Sequence, residues 1–184
     1  MNGRTIVFSK DIAEKSTTLT YGYDVALGIA SIIGKETAFG EAFHITSDES
    51  YTWKEILEIY LDTIEKKTGM RPKVLLLDKS PHLEWIGAKW QVILDRYYNR
   101  RFDNSKIQQY IDTSQFVRTE SGLISCLESF LCHPQFKKMG WGIQGTYDRI
   151  TGEWAPFSEI SIIKDCISYL LHRTVVPPKS KLSI

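Results

Sequence analysis

The sequence carries almost no excess of either charge. Its 23 lysines and arginines face 22 aspartates and glutamates, a formal net charge of +1 over 184 residues. Nucleic-acid binding needs a basic surplus or stripe that neutralises phosphates, so this balance argues against such a partner. No apolar run approaches the ~20 residues of a membrane span. The opening "MNGRTIVFSKD" has no apolar stretch of signal-peptide length. Cysteine is scarce: Cys126, Cys132 and Cys166 form no C-x-x-C pair and lack a fourth ligand, so zinc is set aside. They read as reduced thiols on apolar helix faces, which fits a cytoplasmic chain.

Catalytic signatures are also missing. No G-x-S-x-G elbow occurs. None of the nine tyrosines has a lysine four positions later, the spacing at which lysine lowers a phenol pKa for hydride chemistry. Tyr97 and Tyr169 have Arg101 and Arg173 there instead, and a guanidinium differs in shape and does not readily lose its proton. The four histidines are scattered, with no pair at metal spacing. His44, beside Phe43, fits a packed strand residue better than a base. No catalytic residue is therefore assigned.

What the chain does have is core material, 42% apolar and 12% aromatic residues, enough for one domain or a large part of a two-part protein. "RTIVFS" (4–9) and "TTLTY" (17–21) read as strands around a polar turn. Residues 24–33, "DVALGIASII", are apolar nearly all round. They predict a buried helix with Asp24 as its N-cap and small residues admitting a close neighbour. "EAFHITS" (41–47) alternates and predicts a strand. Thr52 and Glu55 make a capping box for a helix carrying Trp53, Ile56, Leu57, Tyr60, Leu61 and Ile64 on one stripe and ending near Gly69. "KVLLLD" (73–78) predicts a strand covered on both faces. Short helical pieces are expected at 82–87 and 91–98, and a helix after Asn104 or Ser105. Stronger helices are expected at 121–133 and 158–172. The chain reads as one unit over 1–173 with a loose tail at 174–184.

Two motifs invite chemistry. "GWGIQG" places Gly140, Gly142 and Gly145 in a formal G-x-G-x-x-G, with Asp165 twenty positions further on. A phosphate loop needs a buried strand before it and a helix after it. Here polar "HPQFKKM" precedes, and "TYDRITGEWAP" follows, broken by Gly152 and Pro156. "DRYYNRRF" sets Arg96, Arg100 and Arg101 among Tyr97 and Tyr98. It reads either as a diphosphate clamp with a tyrosine to stack on a base, or as a solvated face with snorkelling arginines.

The stretch "TLTYGYDVALGIASIIGKETAFGEAFHITSDESYTWKEI", followed by "RRFDNSKIQQYI", "GLISCLESFLCHP" and "YDRIT", resembles the extended short-chain dehydrogenase/reductases, the NAD-dependent epimerase/dehydratase group acting on nucleotide sugars. The resemblance spans roughly residues 4–150. It implies an α/β fold: the C-terminal part of a Rossmann-like structure, with a few strands and a mainly helical substrate-binding lobe. It implies a nucleotide-sugar ligand held by Arg96, with Thr18, Thr20 and Tyr21 as further contacts. Where related epimerases place a diphosphate-gripping arginine, this chain has Thr17-Thr18. The corner "ITSDESYTW" would be mainly structural. A complete relative uses NAD(P), bound by a glycine-rich loop and served by Tyr-x-x-x-Lys. Neither is present here, so the chain is expected to bind no cofactor and to be inactive alone. The rival expectation is a non-catalytic module that binds a partner, a separately encoded Rossmann half or a second copy of itself.

Overall fold

The computed structural model describes residues 3–83, 88–134 and 139–175. The chain enters on β1 (Ile6–Ser9), turns through the short helix α1 (Lys10–Ala13) and lays down β2 (Ser16–Thr17). Helix α2 (Gly22–Ile32) follows, then β3 (Tyr51–Thr52) and the long helix α3 (Trp53–Thr68). β4 (Val74–Leu77) returns beside β1 in parallel, with Ile6 opposite Val74 and Ser9 opposite Leu77. A parallel pair requires a long crossover, and α3 with the segments before it supplies that connection. β2 and β3 form a second, antiparallel pair, with Ser16 opposite Thr52 and Thr17 opposite Tyr51.

After β4 come α4 (Lys89–Gln91), continued by a π-helical turn over Val92–Arg96, and then α5 (Thr119–Cys132), which packs on α3. Two helices close the described chain: α6 (Trp141–Thr151), and α7 (Ile163–Leu170) with a π-helical turn over Leu171–Val175. The result is a mixed α/β chain, mostly helical, with a small parallel sheet. Among the described residues no helix is long and apolar enough to cross a membrane.

Helix α3 forms as its sequence dictates. The Thr52 hydroxyl accepts the Glu55 amide at 3.2 Å, and the Glu55 carboxylate accepts the Thr52 amide at 2.6 Å. Gly69 ends it at φ 73°, in the left-handed region where a side chain is strained. Ile56 and Leu61 are buried beneath it.

Several expectations are corrected. The 17–21 strand shrinks to Ser16–Thr17. Residues 41–47 form no strand, because their backbone groups are met by side chains: Asn104 Nδ2 donates to the Thr46 carbonyl, and the Ser47 amide donates to Thr20 Oγ1. The expected helix after Asn104 is a single 3-10 turn at Ile107–Gln109. Asp24 is not an N-cap. It sits inside α2, 2% exposed, and its carboxylate accepts the Val117 amide at 2.9 Å.

Nor is α2 buried all round. Gly28 takes the Ile45 side chain against it, so closely that an added Cβ would lie 2.4 Å from Ile45 Cγ2, but Tyr23, Leu27 and Ile29 face outward. Val74 and Leu76 on β4 are likewise exposed rather than covered. The last strong helix is shorter than 158–172, and α6 opens directly after Gly140, where the context of the glycine motif argued against a helix, and stops at Gly152. Thr174 and Val175 belong to the final π-helical turn, while 176–184, like 84–87 of the expected short helical piece, lie outside the described residues.

The glycine motif becomes a helix crossing. Gly140 is the N-cap of α6, and Gly145 lies against α7, where an added Cβ would sit 2.5 Å from the Tyr169 carbonyl oxygen. Gly142 faces Ser168 and His172. These glycines let two helices approach, and Gly142 and Gly145 are turned toward protein rather than toward a ligand.

Candidate functional site

The arginines of "DRYYNRRF" converge on the start of α3. Trp53 is its first residue, held by the capping box and by its amide, which donates to the Lys15 carbonyl at 3.1 Å. The chain after the π-helical turn docks on β2: the Ser16 amide donates to Asn99 Oδ1 at 3.0 Å, and the Arg100 amide donates to the Ser16 carbonyl at 2.9 Å. Both guanidinium groups then lie over the Trp53 ring, Arg96 at 4.7 Å and Arg100 at 5.8 Å from its centroid. Cations are drawn to the electron-rich face of an indole.

The two arginines differ in how they are committed. Arg100 donates to Thr17 Oγ1 at 2.6 Å and pairs with Asp95 Oδ1 at 2.7 Å. Arg96, half-buried, forms neither a hydrogen bond nor an ion pair with any described residue, and its other neighbour is Tyr147. Arg100 Nε and Trp53 Nε1 are buried donors without a hydrogen-bond partner, and the buried Ser16 hydroxyl also lacks one. Indole and guanidinium nitrogens can only donate. An uncommitted cation next to unsatisfied donors suits a ligand rich in acceptor oxygens, such as a phosphate or carboxylate.

The other residues singled out by sequence divide between two places. Thr18 Oγ1 donates to the Arg100 carbonyl at 3.1 Å and lies 3.0 Å from Ser50 Oγ, so it belongs to the arginine neighbourhood but is already engaged. Thr20 Oγ1 accepts the Ser47 amide at 2.9 Å. Tyr21 lines a separate depression of about 160 Å³ against Thr119, Gly122 and Cys126 of α5. Thr18 is thus tied to the Arg100 backbone rather than to Arg96, and Thr20 and Tyr21 face elsewhere.

The remaining candidates are structural. Tyr97 does not stand ready to stack on a base: its hydroxyl donates to Asp11 Oδ2 at 3.0 Å, and burial, then Asp11, pushes the phenol up to about 12. Burial raises the Tyr147 phenol as well, with Arg96 working against it, and its oxygen lies 3.4 Å from His82 Nε2. His44 packs its ring on Phe102 at 5.0 Å. In the corner, Ser47 Oγ accepts the Glu49 amide, and the Asp48 carboxylate accepts Asn104 Nδ2 at 2.9 Å and Thr113 Oγ1 at 2.8 Å, so this stretch is a knot that fixes loops. Among the described residues no group of three potential metal ligands occurs, and the three cysteines are free thiols.

Sequence reasoning missed Trp53, which reads as one more member of an apolar stripe. The available signal was its place directly after the cap, where a large aromatic ring stands at a helix end. No family model, curated protein or solved structure matches this chain.

Proposed function

We propose that this chain is the C-terminal, nucleotide-sugar-binding portion of a protein of the NAD-dependent epimerase/dehydratase kind, with the rest of its Rossmann-like sheet supplied by residues outside these 184. The reading is supported by the order of motifs from "TLTYGYD" to "YDRIT" and, above all, by Arg96, a half-buried guanidinium on an indole face with no acidic partner among the described residues. Arg96 takes the diphosphate, Trp53 walls the site, and Arg100 holds the wall in place. Hydride transfer in a complete relative belongs to NAD(P) and a tyrosine–lysine pair, so this chain turns over no sugar alone. Calorimetric titration of the chain with UDP-glucose and with NAD tests the proposal. UDP-glucose is expected to bind, and to bind at least tenfold more weakly to Arg96→Ala. Tight NAD binding, or UDP-glucose binding no better than glucose, overturns it.

A second reading, a non-catalytic module that docks a partner, is favoured by one observation. Tyr23 (64% exposed) on α2, and Ile33 (71%) and Phe39 (71%) after it, leave large apolar side chains in solvent. Exposed apolar side chains, where they join into a patch, mark partner sites or aggregation. Light scattering discriminates: a monodisperse monomer at high concentration argues against it.

A further inference from the structure

The indole of Trp53 carries a donor that the fold leaves unused. Its Nε1 is buried and has no hydrogen-bond partner among the described residues, and the same holds for Nε of Arg100. Both groups only donate, so no change of tautomer relieves them, and a buried donor without an acceptor costs stability. Neither side chain is loosely placed. The Trp53 backbone is fixed by its amide on the Lys15 carbonyl and by the Thr52 cap before it. Arg100 spends Nη2 on Thr17 Oγ1 at 2.6 Å and Nη1 on Asp95 Oδ1 at 2.7 Å, with its guanidinium 5.8 Å from the indole centroid. The other cation on this ring, Arg96 at 4.7 Å, has no hydrogen bond or ion pair with any described residue. Two arginines against the single carboxylate of Asp95 leave one positive charge over, beside donors that lack acceptors.

We propose that Trp53 is itself a ligand-binding residue of the Arg96 site: its Nε1–H donates to a phosphoryl oxygen of the anion that Arg96 holds, and Arg96 lifts from the indole to receive that anion. This rests on the anion reading of Arg96 and turns the ring from a wall into a donor. A guanidinium takes two oxygens of an oxyanion at once. A carboxylate has only those two, whereas a terminal phosphoryl group has a third for the indole. Trp53 therefore makes the site select phosphoryl ligands over carboxylates.

The experiment joins titration calorimetry of the full chain with UDP-glucose, inorganic pyrophosphate and malonate to proton–nitrogen spectra of its indole groups. Trp53→Phe identifies the Trp53 signal among those of the five tryptophans, and it keeps an aromatic face for the cations while removing the N–H. Saturating UDP-glucose or pyrophosphate is expected to move the Trp53 indole proton downfield and to slow its exchange with water, while the exposed Trp90 and Trp154 stay where they are. Trp53→Phe is expected to bind both phosphoryl ligands about fivefold more weakly or worse, the loss of one hydrogen bond to a charged group. Malonate is expected to bind more weakly than pyrophosphate and equally to both chains. A Trp53 signal that stays put at saturation, unchanged phosphoryl affinity in Trp53→Phe, or an equal loss for malonate overturns the proposal. If Arg96→Ala still weakens UDP-glucose binding, the anion reading survives that result. If no anion binds the unaltered chain, calorimetry alone shows that both have failed. Should Trp53→Phe not fold, the indole signal of the unaltered chain, assigned through the Trp53 backbone amide, decides.

Discussion

Tyr169 donates its hydroxyl to Asp148 Oδ2 at 2.8 Å and accepts the Ala155 amide on the same oxygen at 2.7 Å. Asp148 is 2% exposed and also receives Gln144 Nε2 at 2.6 Å and Arg4 Nη1 at 3.3 Å. One buried carboxylate thus ties α6 and α7 to the segment that leads into β1, 144 residues away in sequence.

Removing the hydroxyl leaves the Ala155 amide without its acceptor in a buried setting. Tyr169→Phe should cost about 1–3 kcal/mol, the penalty of a stranded buried polar group. Asp148→Ala removes the acceptor of the Tyr169 hydroxyl and of Gln144 and leaves Arg4 with Glu159 alone, and should cost about 3–5 kcal/mol. Urea unfolding at neutral pH checks both. Equal costs for the two variants would mean that Arg4 contributes nothing through this contact.

The glycine run should behave as a helix crossing. Gly145→Ala drives a methyl group to 2.5 Å from a backbone oxygen of α7, which can yield only if the helices part. It should destabilise by about 1–3 kcal/mol, the usual cost of overpacking. Gly142→Ala meets the side chains of Ser168 and His172 at 3.0 Å, which can swing aside, and should cost clearly less. Thermal unfolding ranks the two. A larger loss at Gly142 would contradict the crossing.

The capping box predicts an acid response. The Thr52 backbone amide, then its hydroxyl, hydrogen-bond to the Glu55 carboxylate and hold its pKa below the ordinary 4.5. A carboxyl whose folded pKa is depressed stabilises the fold fully above its unfolded value, and that contribution fades as pH falls through the folded value. Stability should therefore drop as pH goes below about 4.5, and Glu55→Gln should flatten part of that slope. Thr52→Ala should cost about 1 kcal/mol at neutral pH, as lost N-caps do. Denaturation midpoints measured between neutral and acidic pH read out both effects.

How much of this was legible beforehand depended on how local the cause is. Helix α3 was readable from Thr52 to Gly69, because cap, stripe and stop all act within a few residues. β1 and β4 were readable from their β-branched and leucine content. The 41–47 strand failed for a non-local reason: Asn104 and Thr20, distant in sequence, satisfy its backbone, so no neighbouring strand is needed. Asp24 failed in the same way, since its partner is the Val117 amide, 93 residues on. The start of helix α6 was missed because polar "HPQFKKM" before the glycine run and Gly152 and Pro156 after it argued against a helix opening there, whereas Gly152 only ends α6 after Thr151. At the site, the arginine cluster was readable, but its ring was not. Nothing local to Trp53 shows that residues 96 and 100 will fold over it.

Arg96 and Arg100, one helical turn apart in sequence, should separate binding from stability. Arg100 anchors β2 through its backbone amide and through Thr17, pairs with Asp95 and lies over Trp53, so Arg100→Ala withdraws three side-chain contacts and should destabilise by about 1–3 kcal/mol. Arg96 has only the Trp53 face and the neighbourhood of Tyr147, so Arg96→Ala should shift stability by about 1 kcal/mol, the worth of a half-buried cation–π contact. Ligand affinity should move the other way. If Arg96 grips a diphosphate, Arg96→Ala loses at least tenfold in UDP-glucose affinity, and Arg96→Lys recovers the charge without the two-pronged geometry and so only part of the binding. Arg100→Ala, measured well below its unfolding temperature, should lose less. A chain in which Arg96→Ala unfolds as readily as Arg100→Ala, with UDP-glucose affinity unchanged, would make Arg96 a packing residue and remove the basis for an anion site on Trp53.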